Sequence, residues 1–421
     1  PADHFLVDRR YEVLSRTGAA IALLTLQTMA PSGGAGHRTS LRGGGPLTTF
    51  ALPCARPTLW QFLWANVPLA PKPERARLAL VMPWLAPTRT SPKDGGVITT
   101  PEDGALPAQA YCGMPRRIRL NFVTNNDRRP CDLTGEVDDV VVRDYITRPW
   151  GVNYPSSAWR HPSSPYYKQK KDSPEFLPVH LKSSRIGYRD WLGLVSSAPD
   201  DLRIAANIVD EFRKQRARLI RADDARRVGL LACGYALDSM KPLDFGEAQL
   251  PLFATGSTDK DQALDDTASG MIDAAEEAAA QLTRAIRQAL YGEKSKVDAG
   301  STVLSAAALR FWSETEAPFY ALLRSLNERL VTDAADAMPS IIAVGQDWLE
   351  TMRRCALAIF DDTAPLEDSD PERLADVITA RKFLSLTFTG STPAGRKIYA
   401  ALVLPEPDKP ARGKKIRKAK S

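Results

Sequence analysis

The second half of the sequence leaves little choice of architecture. After about residue 258 the composition turns rich in Ala, Glu and Gln. Leu264, Met271, Ile272, Ala275, Ala279, Leu282, Ile286 and Leu290 then recur at helical spacing over 261–291. Comparable stripes run through about 301–331, 334–361 and 370–386, that of 334–361 carrying Met338, Ile341, Trp348, Met352 and Ile359. A helix with one apolar stripe must bury it against a neighbour. Four such helices with short links predict a four-helix bundle.

The first half has no such regularity. Residues 11–30 predict a helix through Leu14, Ala19, Leu23, Leu26 and Ala30, closed by Pro31. A short helix is expected over 58–67, with Leu59, Phe62, Leu63 and Val67 on one face. From 68 to 200 the chain is rich in Pro, Gly, Arg and aromatics, with β-prone runs at 78–82, 117–123 and 140–146. Helix is expected again over 200–220, with Arg213, Lys214, Arg216, Arg218 and Arg221 as a basic stripe, either a solvated face or a nucleic-acid backbone contact. A buried strand over 228–232 then runs into a loop. The expected fold class is α+β: an irregular mixed domain with long loops over 1–258, a four-helix bundle over 259–405 and a basic flexible tail over 406–421.

Composition excludes several classes. A hydrophobic content of 43% argues against disorder throughout. No apolar run reaches the roughly 18 residues of a membrane span, so no membrane partner is expected. Cys54, Cys112, Cys131, Cys233 and Cys355 are scattered singly, as suits a reducing cytoplasm, and no C-x-x-C pair marks a metal site. The net charge of +6 is concentrated: 406–421 carries seven basic and two acidic residues, a net +5, leaving +1 for the rest. That tail reads as a solubilising terminus or as a salt-sensitive phosphate contact. Pro1 is not a natural start, so the chain is expected to be a fragment.

Six of the thirteen residues from Gly33 to Gly45 are glycine, with His37, Arg38 and Arg42 among them. Backbone without Cβ atoms can touch a ligand directly, and interleaved arginines suggest an anionic one. No Gly-Lys-Ser/Thr follows, so a phosphate-cradling Walker loop is excluded. Thr39 occupies the third glycine position of a dinucleotide fingerprint, and a helix precedes the segment where a strand is required. There is no G-x-S-x-G and no carboxylate–histidine cluster of a two-metal nuclease. His161, in an aromatic-rich loop, reads as structural or as DNA-facing. What remains is a phosphate-binding chain without visible catalytic apparatus, a pattern that suits nucleic-acid recognition.

The blocks AAIALLTLQTMAPSGGAGHRTSLRGGGPLTTF (19–50), LWQFLWANV (59–67), YCGMPRRIRL (111–120), WGVNYPSSAWRHPSSPYY (150–167) and GYALDSMKPLDF (234–245) resemble, in order, the CasA family. These are the large subunits of type I-E CRISPR Cascade surveillance complexes. Relatives carry roughly a hundred further N-terminal residues, a figure belonging to the resemblance rather than to any RNA-guided requirement. The resemblance implies a non-catalytic subunit without cofactor or small-molecule substrate. It would recognise the protospacer-adjacent motif (PAM) of double-stranded DNA, largely from the minor groove, and start strand opening. Its partners would be the crRNA-containing backbone and small subunits and a recruited helicase–nuclease.

Residue by residue, the family's glycine loop falls on Gly33, Gly34, Ala35 and Gly36, beside His37 and Arg38. Its strand-separating wedge falls on Asp238, Ser239 and Met240, followed by Lys241. The groove-reaching cation maps to Arg148, and a further DNA-engaging loop maps near Phe5. Some relatives bind zinc through paired cysteines. Here Ser15 and Gly18 stand in place of one pair and Cys131 is what remains near the other, so no zinc is expected. An architectural subunit that reads no PAM, and a phosphate-handling enzyme, are the rival readings.

Overall fold

The computed structural model describes residues 10–34, 36–69, 75–92, 107–155, 159–181, 185–198, 202–217, 228–238, 241–292, 301–332, 337–367 and 371–405. Phe5, Ala35, Ser239, Met240, Arg218, Arg221 and the tail 406–421 lie outside the described residues. The chain divides into two compact units, Pro1–Leu252 and Phe253–Ser421.

The first unit is built on three small antiparallel sheets. The strands are β1 (Leu14–Ser15), β2 (Thr48–Leu52), β3 (Arg117–Thr124), β4 (Val140–Arg148), β5 (Tyr166–Tyr167), β6 (Leu177–Pro178), β7 (Arg203–Ile204), β8 (Gly229–Asp238) and β9 (Lys241–Pro251). They pair in the orders β1-β4-β3, β2-β8-β9 and β6-β5-β7. Helices α1 (Arg16–Met29), α2 (Leu59–Ala65), α3 (Leu78–Val81) and α4 (Asn207–Glu211) lie between them. The interior holds Trp159, Trp191, Tyr188 and Phe212, with Leu41, Ala110, Val152 and Tyr154 clustered around Trp159.

Helix α1 starts where Ser15 Oγ accepts the Gly18 N–H at 3.0 Å, an N-cap that satisfies one orphan donor. Its far end is fixed by a buried amide. Gln27 Nε2 donates to the Arg116 carbonyl at 2.8 Å, and the Arg116 N–H donates back to Gln27 Oε1 at 3.0 Å. This places the exit of α1, and hence the glycine segment, against the start of β3.

Three expectations change. The run at 78–82 forms α3, not a strand: no partner strand reaches it among the described residues, and the Met82 N–H closes onto the Leu78 carbonyl at 2.7 Å. The helix over 200–220 is broken into β7, α4 and a wider turn over Phe212–Arg216. Three residues of its basic stripe are described, and each is engaged within the chain. Arg213 is buried, Lys214 pairs with Asp210 at 2.8 Å, and Arg216 donates to the carbonyls of Trp64, Ala65 and Val67. The loop after residue 232 is instead the hairpin β8–β9, paired from Gly229↔Pro251 to Asp238↔Lys241, with a bulge between Ala236 and Leu237.

The second unit is helical: α5 (Thr258–Tyr291), α6 (Thr302–Thr332), α7 (Met338–Thr363), α8 (Leu374–Thr387) and α9 (Pro393–Ala401). The α5 stripe from Leu264 to Ile286 is buried, while Leu290 is half-buried. On α7, Trp348, Met352 and Ile359 are buried but Met338 stays 41% exposed. Trp348 donates its indole N–H to the Met271 carbonyl at 2.8 Å and meets Phe319 edge-on. A fifth short helix joins the four expected ones. Thr392 caps it through the Gly395 N–H at 2.9 Å, Pro393 opens it, and Ile398 is buried.

Candidate nucleic-acid interface

The glycine segment is a closed loop. It leaves α1 at Ala30, and the Ser40 N–H returns to the Ala30 carbonyl at 3.0 Å. Within it, the Gly33 N–H donates to the His37 carbonyl at 3.0 Å and the His37 N–H to the Gly34 carbonyl at 3.1 Å. The Trp150 N–H donates to the Gly36 carbonyl at 2.8 Å. Gly36 has φ +76°, and a Cβ there would lie 2.5 Å from Pro149 Cβ and 3.1 Å from the Trp150 ring. Gly34 differs: its φ is +91°, yet a Cβ would meet nothing within 4 Å. It borders an open cleft of about 450 Å³ lined by Gly34, Gly36, His37, Arg38, Trp150 and Tyr154. No carboxylate is among the described lining residues.

The arginines next to this loop hold it together. Arg38 donates Nε to the Gly151 carbonyl at 2.9 Å and a terminal nitrogen to the Ser91 carbonyl, with its guanidinium 5.8 Å from the Trp150 ring centroid. Arg116 donates to the carbonyls of Arg38 and Pro31. Arg42 is buried, and burial draws its pKa down to about 10. Its Nε donates to Ser164 Oγ at 2.9 Å, and a terminal nitrogen donates to Thr48 Oγ1 at 2.9 Å and to the Leu47 carbonyl at 3.4 Å. His161 is buried too; it meets Tyr111 edge-on, accepts the Ser163 N–H at Nδ1, and is held neutral by burial and by Arg42. Its structural reading holds.

Arg148 ends β4 two residues before Trp150. The register places Arg117 opposite it, and Arg119 follows on the same face, because facing and alternate residues share a side. Arg117 and Arg119 were not among the expected site residues, although the alternation R-x-R in a strand marked them. Asp238 and Lys241 are exposed at the end of β8–β9. Just before them, Leu237 Cδ1 lies 2.5 Å from where a Cβ on Gly45 would stand. The segment 33–45 therefore touches the end of β4 at Gly36 and the end of the hairpin at Gly45.

Cys131 Sγ lies 2.7 Å from the Cβ position of Gly18, and Ser15 Oγ lies 3.3 Å from it. One thiol with Ser15 and Thr134 hydroxyls is not a zinc donor set. Among the described residues no group of three or more His, Cys, Asp or Glu could hold a metal ion. Hydrogen bonds tie these segments instead. Asp132 accepts the N–H groups of Glu12 and Val13 at 2.7 and 2.8 Å, and Asp138 takes both Nε and a terminal nitrogen of Arg16. Burial pushes the Cys131 thiol up, but hydrogen bonds from the side chains and backbones of Ser15 and Thr134 outweigh it, and its pKa falls to about 6. An unfolded cysteine titrates near about 8.5, so the unfolded chain binds more protons between those values. The thiolate's stabilisation is complete above about pH 8.5, declines below it and is gone below about pH 6. The melting-temperature gap between wild type and Cys131→Ser should therefore widen from about pH 6 to about 8.5; a gap that stays constant contradicts the hydrogen-bonded thiolate.

Comparison with known proteins agrees with this architecture. Direct comparison with curated sequences gives no match. Among solved structures, CasA from Thermus thermophilus is 16% identical at TM-score 0.59, covering 95% of this chain and 76% of that one. Cse1 from Acidimicrobium ferrooxidans is 16% identical at TM-score 0.57, covering 96% and 76%. A chain of a CRISPR RNA-guided surveillance complex is 18% identical at TM-score 0.55, covering 88% and 68%. At these identities the likeness is one of fold. The profile of CRISPR-associated protein Cse1 matches residues 2–359. The chain belongs to the Cse1 family of CRISPR-associated proteins.

Proposed function

We propose that this chain is the PAM-reading, non-catalytic large subunit of a cytoplasmic type I-E CRISPR RNA-guided surveillance complex. Gly33–Gly36 lie against the minor-groove edges, where the code is degenerate and main-chain contacts tolerate several sequences. Arg148, flanked by Arg117 and Arg119, supplies charge toward the backbone or groove. The hairpin end at Asp238–Lys241 enters the base stack and starts opening, after which guide RNA pairs with the target strand. Recruitment of a helicase–nuclease completes the reading. The observation that carries it is the glycine segment's double contact, with Pro149–Trp150 at Gly36 and with Leu237 at Gly45. That contact supports reading the glycine segment, the arginine strand end and the hairpin end as parts of one site. The cleft beside Gly34, free of carboxylates among its described lining, suits a polyanion.

The test separates association from opening. In the assembled complex, Ser239→Gly with Met240→Gly should lower opening of the PAM-adjacent pairs at least tenfold, read by 2-aminopurine fluorescence. Initial duplex association should stay within about threefold, since unstacking costs a few kcal/mol that association does not require. Equal loss of both counts against a wedge at this hairpin.

A further inference from the structure

Helix α2 is well fixed yet poorly covered. Thr58 and Gln61 form a reciprocal capping box. Asn66 exchanges hydrogen bonds with Ala51 of β2, accepting its N–H at 2.7 Å and donating to its carbonyl at 2.9 Å. Phe62 meets Phe50 edge-on at 5.3 Å. Arg216 holds the carbonyls of Trp64, Ala65 and Val67 at the C-terminal end of the helix. The other apolar side chains of this stretch are in solvent: Leu59 is 72% exposed, Trp60 68%, Leu63 51%, Trp64 55%, Val67 45% and Leu69 56%.

Two observations identify the occupant. Together these exposures amount to roughly 700 Å², close to the ~800 Å² each partner buries in an ordinary specific protein interface. Isolated apolar patches on monomers are usually smaller and scattered. The helix itself is uncharged; beyond it, Glu211 accepts the Leu69 N–H at 2.8 Å. No residue from Pro57 to Pro71 carries a charge, and the Arg216 guanidinium beside the tryptophans is occupied by carbonyls. Single-stranded nucleic acid is held by aromatics together with a cationic groove, which this helix does not offer. Two edge-packed tryptophans, 5.4 Å apart, flanked by leucines suit the centre of a protein interface, where charge is depleted and Trp is enriched.

We infer that α2 is a docking surface for the apolar, low-charge face of another protein subunit of the guide-RNA assembly, an inference that rests on the proposed membership in that assembly. Docking there loads β2, the edge strand that pairs with the hairpin strand β8. The test uses the full chain and a purified guide-RNA complex from the same genome assembled without it. A photo-crosslinking residue at position 60 should join this chain to a protein subunit. Trp60→Ser with Trp64→Ser should weaken incorporation at least tenfold while leaving the melting temperature of the free chain unchanged, because both side chains face solvent. A crosslink to RNA, DNA or a second copy, no crosslink, or undiminished incorporation overturns the inference. If the double variant loses its fold, the milder Leu59→Gln, at the most exposed position, decides by the same criterion. PAM discrimination by the wild-type assembly is measured separately and reads the proposed function alone.

Discussion

Arg42→Ala lowers the stability of the first unit by about 3 kcal/mol, the largest loss expected from any arginine in the glycine segment. Arg42 is 3% exposed, and its hydrogen bonds end on neutral oxygens of Ser164, Thr48 and Leu47. Removing the guanidinium strands these oxygens in the interior, at about 1–3 kcal/mol for each buried group left unpaired. Part of that loss is returned because a costly buried charge disappears. Arg42→Lys recovers little: a point ammonium cannot span Ser164 and Thr48 as the planar fork does. Urea unfolding followed by tryptophan fluorescence measures the effect. If Arg42→Ala unfolds like wild type but loses duplex affinity, Arg42 faces a ligand and the structural assignment fails.

The same residue shows where sequence reading succeeds and where it stops. Helical stripes such as Leu264–Ile286 are legible because period and amphipathicity are local. Gly, Arg and His crowded into 33–45 announced a special backbone, and the loop does hold Gly34 and Gly36 at positive φ. Whether an arginine points outward or inward depends on what surrounds it. Arg42 and Arg216 look like phosphate ligands in the sequence and prove to hold backbone and hydroxyl oxygens in place. Residues 233–245 read as a loop because Gly234, Asp238 and Pro242 weaken strand propensity. Pairing overrides that propensity, and Gly234 sits where a Cβ would come within 3.3 Å of Leu47. The exposure of α2 was not legible for a related reason: periodicity reports an apolar face but not what covers it.

Gly34→Ala and Gly36→Ala separate a ligand-facing glycine from a packing one. Both residues have positive φ, so each alanine carries about 1–2 kcal/mol of backbone strain. At Gly36 the new methyl also falls 2.5 Å from Pro149 Cβ. Relief requires moving the strand end that carries Arg148 and breaking the Trp150–Gly36 hydrogen bond. Stability should fall by about 2–4 kcal/mol, the range of overpacked and strained sites together, and PAM-duplex affinity with it. At Gly34 nothing within 4 Å opposes the methyl, so the loop keeps its shape and bears only the strain. A duplex lying against this backbone meets the methyl directly. Affinity for a PAM duplex, measured in the assembled complex at fixed salt, should then drop at least tenfold, about 1.4 kcal/mol. Binding of a scrambled duplex should change little, since it depends on phosphate charge. If Gly34→Ala binds the PAM duplex as wild type does, the open side of this loop is not where DNA is read, and the assignment of Gly33–Gly36 to the minor groove is wrong.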